Sequence, residues 1–249
     1  MCLNKVSTMV AVFGVVAVGL AVFGGIGAAS ATTVNIPAVK DNTIFDGPTG
    51  NSNGAGDFFF VGSTNTGMIR RALIAFRVAD SIPAGSTVTA VTLTLHMSKT
   101  ISAGETVSLH RLTADWGEGT SNAGASEGTG APATTGDATW LFRFFNTLTW
   151  TAQGGDFSTQ GSASQTVTAV GFYSWTSAQM IADVQGWVNG PNPDFGWILI
   201  DNEGVSATAK RFDSRTNPTV ADRPVLTVTF TPGSGIEPGT FGEIKALYK

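Results

Sequence analysis

The sequence predicts an all-β fold: an antiparallel two-sheet β-sandwich, jelly-roll-like, with one short amphipathic helix. Three observations lead there. Leu73 and Ala75 alternate with Ile74, Phe76 and Val78, the period of a strand with at least one buried face. A second alternating run follows, with Val88, Ala90, Thr92 and Thr94 on one face and Thr89, Val91, Leu93 and Leu95 on the other. Between them Pro83 presets φ and Gly85 tolerates φ > 0, so a turn joins two antiparallel neighbours. Helical spacing is convincing at one place, Ser177 to Asn189. There Met180, Ile181, Val184, Trp187 and Val188 form a single apolar stripe. Thr176 or Ser177 caps its start and Asn189-Gly190-Pro191 stops it. Trp187 therefore reads as core and not as a sugar platform.

In chain order, residues 1–31 read as a signal peptide. Lys5 opens it, Val10 to Ile26 is apolar, and Ala29-Ser30-Ala31 supplies a small-residue cleavage site, so the mature chain starts at Thr32. An uncleaved anchor is the competing reading, since the apolar run approaches the about 20 residues a span needs. The small-residue site and the missing basic stop signal favour cleavage. Cys2, the single cysteine, lies in this segment, so the exported chain is thiol-free and its stability comes from its own core. Residues 32–231 form one β-sandwich domain, 232–239 a Pro/Gly/Ser linker, and 240–249 a short C-terminal tail.

Within the domain Val34 to Val39 makes a first strand whose Pro37 marks an edge. Asp41 to Asp46 follows, then a glycine-rich loop over Gly47 to Gly56, and Phe58 to Gly62 re-enters the sheet. Thr106 to Leu112 alternates, with Val107 and Leu109 on one face and His110 and Leu112 on the other. Asp115 to Ser164 is a long insertion, and its Gly117 to Gly136 part reads as a loop that is functional or disordered. Strands at Gly196 to Asp201, Ala207 to Phe212 and Val225 to Thr231 complete the set.

Several of these segments together resemble one family. Arg71 to Phe76, the Ile82-Pro83-Ala84-Gly85 turn and the strand Ala90 to Leu95 stand in order. So do His110-Arg111-Leu112-Thr113 with Trp116 and Glu118, Val184 to Gly190, and Asn192-Pro193-Asp194-Phe195-Gly196-Trp197. Phe212-Asp213-Ser214-Arg215 and Arg223 to Val228 close the series. In this order they resemble the DNRLRE domain family, related to family 96 carbohydrate-binding modules and disaggregatase-related repeats, over roughly Val34 to Thr231. One departure is Asn53-Gly54-Ala55-Gly56, where the family carries an asparagine-aromatic-glycine element. The resemblance implies a sandwich that binds acidic polysaccharide through basic side chains. The tail, Thr240 to Lys249, resembles short aromatic-glycine endings of some exported proteins; docking or sorting and packing on its own domain are equal readings of it.

Catalysis finds little footing. The chain has no G-x-S-x-G elbow, H-E-x-x-H, phosphate loop or cysteine pair. His96 and His110 read as ordinary strand residues. Asp115 with Glu118, or Asp201 with Glu203, are the carboxylate pairs a glycosidase would need, but local proximity does not define a cleft. The expectation is not an enzyme. The formal charge of −4 becomes −5 without Lys5, and the absence of a basic run argues against a nucleic-acid partner. No membrane partner is expected after cleavage.

Binding has more to build on. Guanidinium forks grip carboxylates bidentately, and flat aromatic faces stack on sugar C–H groups. The candidate ligand-binding residues are Arg70, Arg77, Lys99, Trp116, Trp140, Trp150, Lys210 and Arg211. Trp175 also falls beside a loop, although each of these tryptophans taken singly reads as buried, because its area is costly to leave wet. Arg71, Arg215 and Arg223 read as structural, pinning strands and loops through carbonyls and Asp41 or Asp213. Asp41, Asp46, Asp201 and Glu203 are hard oxygen donors of the kind a structural calcium ion takes. Their spacing matches no EF-hand and turn-forming Asx residues explain them equally. No cofactor is otherwise expected. The reading is a secreted, extracellular or cell-surface, non-catalytic carbohydrate-binding module for an acidic polysaccharide or cell-surface glycan. The alternative is a structural or adhesive surface-matrix protein that works through protein contacts or self-association.

Overall fold

Alternating sequence becomes antiparallel ladder throughout the computed structural model, which describes residues 30–190 and 192–233. The strands are β1 (Thr32–Pro37), β2 (Lys40–Phe45), β3 (Asn51–Ser52), β4 (Phe58–Ser63), β5 (Ile69–Ala75), β6 (Thr87–Thr100), β7 (Glu105–Leu112) and β8 (Ala131–Pro132). After them come β9 (Phe142–Phe144), β10 (Leu148–Thr149), β11 (Phe157–Val167), β12 (Gly171–Trp175), the helix α1 (Ala178–Asn189), β13 (Trp197–Ile200), β14 (Lys210–Asp213) and β15 (Val225–Thr231). The signal-peptide and C-terminal tail expectations fall on residues outside those described, apart from the immediate flanks of the domain.

Two layers face each other. In the first, β6 pairs with β12 along one edge, since Leu93 and Met97 meet Trp175 and Gly171. Along its other edge β6 meets β14 and β15 end to end: Met97 opposes Phe212, and Thr94 opposes Val225. Residues 214–224 thus interrupt one long strand with an excursion. β4 lies beside β14, and β1 beside β15, at the sheet edge where Pro37 was expected. The second layer runs β2, β5, β13, β7, β11. β4 links them, pairing with β14 through Phe58–Val61 and with β5 through Gly62 and Ser63. Gly62 sits at that corner with φ +102°, and an added Cβ would lie 3.0 Å from the Ala209 Cα.

The interior between the layers holds Phe59, Val61, Ile74, Phe76, Val91, Leu93, Leu95, Leu109, Phe212 and Val228. α1 closes one end of it, and Trp187 packs on Trp197 with ring centroids 4.5 Å apart. Ser177 is the cap: its Oγ accepts from the Met180 N–H at 3.0 Å.

Three expectations are corrected. β5 and β6 are not paired with each other, because the segment through Pro83 and Gly85 crosses from one layer to the other. The turn chemistry is present, with Gly85 at φ +83°, but it spans the sandwich instead of closing a hairpin. Val88 does not share a face with Ala90. A β-bulge between Thr229 and Phe230 opposes Ala90 and Val88 to successive β15 residues, which turns Val88 inward with Val91. Finally, Asp115 to Ser164 is neither a free loop nor uncovered. Trp116, Ala138 and Trp150 pack with Ile44, Leu73, Ala75, Leu112 and Ile198 as a second core on the outer face of the second layer. That is why both faces of β5 are apolar.

Candidate functional site

The outer face of the first layer carries side chains in rows set by register. Phe60 of β4, Arg211 of β14 and Lys99 of β6 oppose one another in sequence across three strands. Two strand spacings separate the outer pair, about 10 Å. The neighbouring row is Phe58, Asp213, His96 and Phe172, with Asp213 opposite Phe58, and Phe172 of β12 opposite His96. Alternation explains the choice of residues: Phe59, Val61, Phe212 and Met97 take the inward positions and leave these outward.

A groove of about 600 Å³ runs over the first row. Its floor is Phe58, Phe60, Lys99 and Arg211, and its far wall is the loop Asn122 to Thr129. Glu127 fastens that wall. It is buried, and its Oε2 accepts from the Phe58 N–H at 2.8 Å and from Asn53 Nδ2 at 3.0 Å. Its Oε1 accepts from the Asp57 N–H at 3.1 Å. Asn53 answers with its Oδ1, which accepts from the Ala123 N–H at 3.0 Å. So Asn53-Gly54-Ala55-Gly56 is an anchor point for the groove wall. Gly54 is needed there, because a Cβ would sit 1.8 Å from the Glu118 carbonyl oxygen.

Arg211 is pre-positioned. Its guanidinium lies 3.7 Å from the Phe58 ring centroid, and its Nε donates to Ser98 Oγ at 3.1 Å. Among the described residues neither Arg211 nor Lys99 pairs with a carboxylate, and Lys99 is exposed. A smaller hollow of about 290 Å³ continues from the groove between Phe60, Thr64 to Thr66 and Ile101.

Of the residues expected to bind ligand, Lys99 and Arg211 meet in this groove. Arg70 borders the hollow but is 4% exposed and committed: its Nε donates to the Gly128 carbonyl at 3.2 Å, and its guanidinium lies over Phe45. Desolvation lowers its pKa, against the pull of Asp46. Lys210 is corrected from free cation to core lysine. It points inward opposite Val61, is fully buried, and donates to the Ala103 carbonyl at 2.9 Å and to Ser102 Oγ. Burial lowers its pKa, while Asp201 and Glu105 oppose the shift. Arg77 is exposed beyond β5, at the start of the turn Val78–Asp80 and away from the groove.

The tryptophans are corrected as well. Trp116 and Trp150 are buried in the second core, with Nε1 donating to the Phe195 and Thr139 carbonyls at 2.9 and 2.8 Å. Trp175 is fully buried under β7. Trp140 is half-buried beneath the Arg71 guanidinium at 4.8 Å. The aromatics at the groove are instead Phe58 and Phe60, with exposed Phe172 one strand beyond His96. The Phe58-Phe59-Phe60 run was the available signal, since alternation sends its two outer members to one face. Only the register across β4, β14 and β6 shows what they face.

Arg71, Arg215 and Arg223 are all engaged with neighbours, but among the described residues their side chains meet Glu203, Glu118 and carbonyls and not the expected Asp41 or Asp213. Arg71 forms a fork with Glu203, Nε to Oε1 at 2.7 Å and Nη2 to Oε2 at 2.8 Å, and reaches the Gly154 carbonyl. Arg215 forks onto Glu118, which raises its pKa, and its N–H donates to Asp41 Oδ2 at 2.6 Å. Arg223 donates to the Asn217 carbonyl at 2.7 Å. Ion pairs occupy three of the four nominated carboxylates: Asp115 holds Lys40, Glu118 holds Arg215, and Glu203 holds Arg71, while Asp201 is buried with its Oδ2 unpaired. Asp41, Asp46, Asp201 and Glu203 do not converge as metal ligands. Among the described residues the single His/Asp/Glu trio with convergent ligand atoms is His96, Asp213 and Asp222.

No protein-family model matches the chain, and no curated protein matches it at a significant level.

Proposed function

We propose that the chain is a non-catalytic glycan-binding module that holds an acidic polysaccharide along the outer face of its first sheet. The observation that carries this reading is the Phe60–Arg211–Lys99 row: two cations without carboxylate partners on an aromatic floor, in an open groove. Arg211 is held on Phe58 and Ser98, so little side-chain freedom remains to be lost when it pairs with a uronate carboxylate. The Phe58 and Phe60 rings supply apolar faces for sugar C–H groups. The resemblance to DNRLRE domains points to the same ligand class. Export to the cell exterior is part of the proposal and follows from the apolar, small-residue N-terminus.

Affinity electrophoresis of the purified protein against polyuronates and neutral glucans tests it. Polyuronate retards the protein, neutral glucan does not, and added salt weakens the effect. A charge-assisted contact contributes about 1.5–3 kcal/mol. Arg211→Ala therefore weakens polyuronate binding by about tenfold to a hundredfold, and Lys99→Ala by less, because its ammonium is free in water. Absence of retardation on every gel, or retardation that R211A leaves unchanged, removes this reading. In the first case a surface-matrix role through protein contacts becomes the one to pursue.

A further inference from the structure

His96, Asp213 and Asp222 meet where residues 214–224 leave and rejoin the sheet. His96 lies on β6 opposite the break between β14 and β15. Asp213 ends β14, and Asp222 closes the turn Val220–Asp222 just before β15. Nδ1 of His96 is 2.5 Å from Asp213 Oδ2 and 3.7 Å from Asp222 Oδ2. The three ligand atoms all fall within 4.8 Å of one another.

We propose that these three residues form a binding site for one divalent transition-metal ion of the zinc class. The geometry needs a modest closure. With metal–ligand bonds near 2.0 Å and tetrahedral angles, neighbouring ligand atoms stand about 3.3 Å apart. The His96–Asp213 contact would open by less than an ångström, the His96–Asp222 distance would shorten by less, and the two aspartate oxygens, within 4.8 Å of each other, would close by up to about 1.5 Å. Charge balance favours a dication, because two carboxylates share one imidazole. Among the described residues neither aspartate has a lysine or arginine partner. Arg211, two residues before Asp213, lies over Phe58 and donates to Ser98, and forms no ion pair with Asp213.

The ligands are also held from behind. The Asp213 side chain is 3% exposed, and Asn217 Nδ2 donates to its Oδ1 at 3.1 Å, which aims Oδ2 at the site. Outer partners of this kind orient metal ligands. His96 is braced by Phe172, ring centroids 4.7 Å apart. Its imidazole and Asp222 keep some exposure, 17% and 25%, so the fourth position faces solvent. An imidazole with two carboxylates suits zinc-class ions and not calcium, which takes oxygen ligands in larger number. The ion would tie both ends of the 214–224 excursion to β6. The site stands apart from the glycan reading and needs no sugar to be tested.

Calorimetric titration of the metal-free protein with Zn²⁺, and separately with Ca²⁺, provides the test. One Zn²⁺ binds per chain and Ca²⁺ does not compete. Asp222→Asn weakens Zn²⁺ at least about tenfold, His96→Gln removes it, and His110→Gln changes nothing. Zn²⁺ raises the Tm of the parent protein and not that of H96Q. Should H96Q fail to fold, imidazole ¹⁵N spectra of the parent protein decide, since the chain has two histidines and His110→Gln assigns them. The His96 Nδ1 resonance then shifts on adding Zn²⁺ and the His110 resonances stay. Failure of Zn²⁺ to bind at millimolar concentration, or binding that leaves His96 unshifted, overturns the proposal and leaves a plain imidazole–carboxylate clamp.

Discussion

Arg71 and Arg211 share a side chain and differ in everything around it. Arg71 spends its donors on Glu203 and Gly154 and covers Trp140, so its removal leaves a part-buried carboxylate unpaired. Arg71→Ala costs about 2 kcal/mol, after discounting for partial exposure, and denaturant unfolding reads the loss. Arg211→Ala, by contrast, leaves stability nearly unchanged and acts on binding. Asp41 sets a pH dependence. Burial, with Glu118 nearby against the help of the Arg215 N–H, pushes its carboxyl up from 3.8 to about 8. The folded state therefore keeps a proton that the unfolded chain has released. That contribution is fully present below about pH 4 and is lost as pH rises through about 8. Asp194 and Asp201, raised to about 6 chiefly by burial, act in the same direction over a narrower window. Unfolding at pH 5 and pH 8.5 should show lower stability at the higher pH, with Asp41→Asn flattening the difference. An unchanged slope in D41N would mean that Asp41 is ionised in the fold.

At the scale of elements, the helix was legible end to end. Its stripe, its cap and its Asn-Gly stop are local, and Ser177 performs the capping that its position predicts. Ser177→Ala should cost about 1 kcal/mol, visible as a lower Tm. Most strand positions were legible too, but β11 and β12 were not, and neither were the partners. Pro83 and Gly85 look like a hairpin turn from within the chain, yet they carry it across the sandwich. The corner at Gly62 was likewise hidden, because its need for glycine comes from Ala209 and Asp201, residues far along the chain. Gly62→Ala would meet both an unfavourable φ and that close backbone. A loss of about 1–3 kcal/mol is expected, again read by denaturant unfolding.

For the whole molecule, the decisive feature is the second core. A glycine-, serine- and threonine-rich insertion reads as loop, and its composition does not announce that it covers a sheet. Trp116 and Trp150 nevertheless seal it onto β2, β5 and β13. Trp150→Ala should destabilise by about 3–5 kcal/mol and open the insertion to proteolysis; a mild effect would mean that the insertion is held by its hydrogen bonds alone. The same folding displaces the aromatics from the site expected for them and fastens the groove wall through Glu127. By itself the sequence determined the all-β class, most of the longer strands, and the helix with its cap. Those follow from period and turn chemistry, which are local properties. The tertiary structure alone decided which strands pair, that Lys210 is buried, that phenylalanines floor the groove, which carboxylates the arginines meet, and that His96 meets Asp213 and Asp222. Each of these depends on register between distant strands, where a shift of one residue sends a side chain to the opposite face.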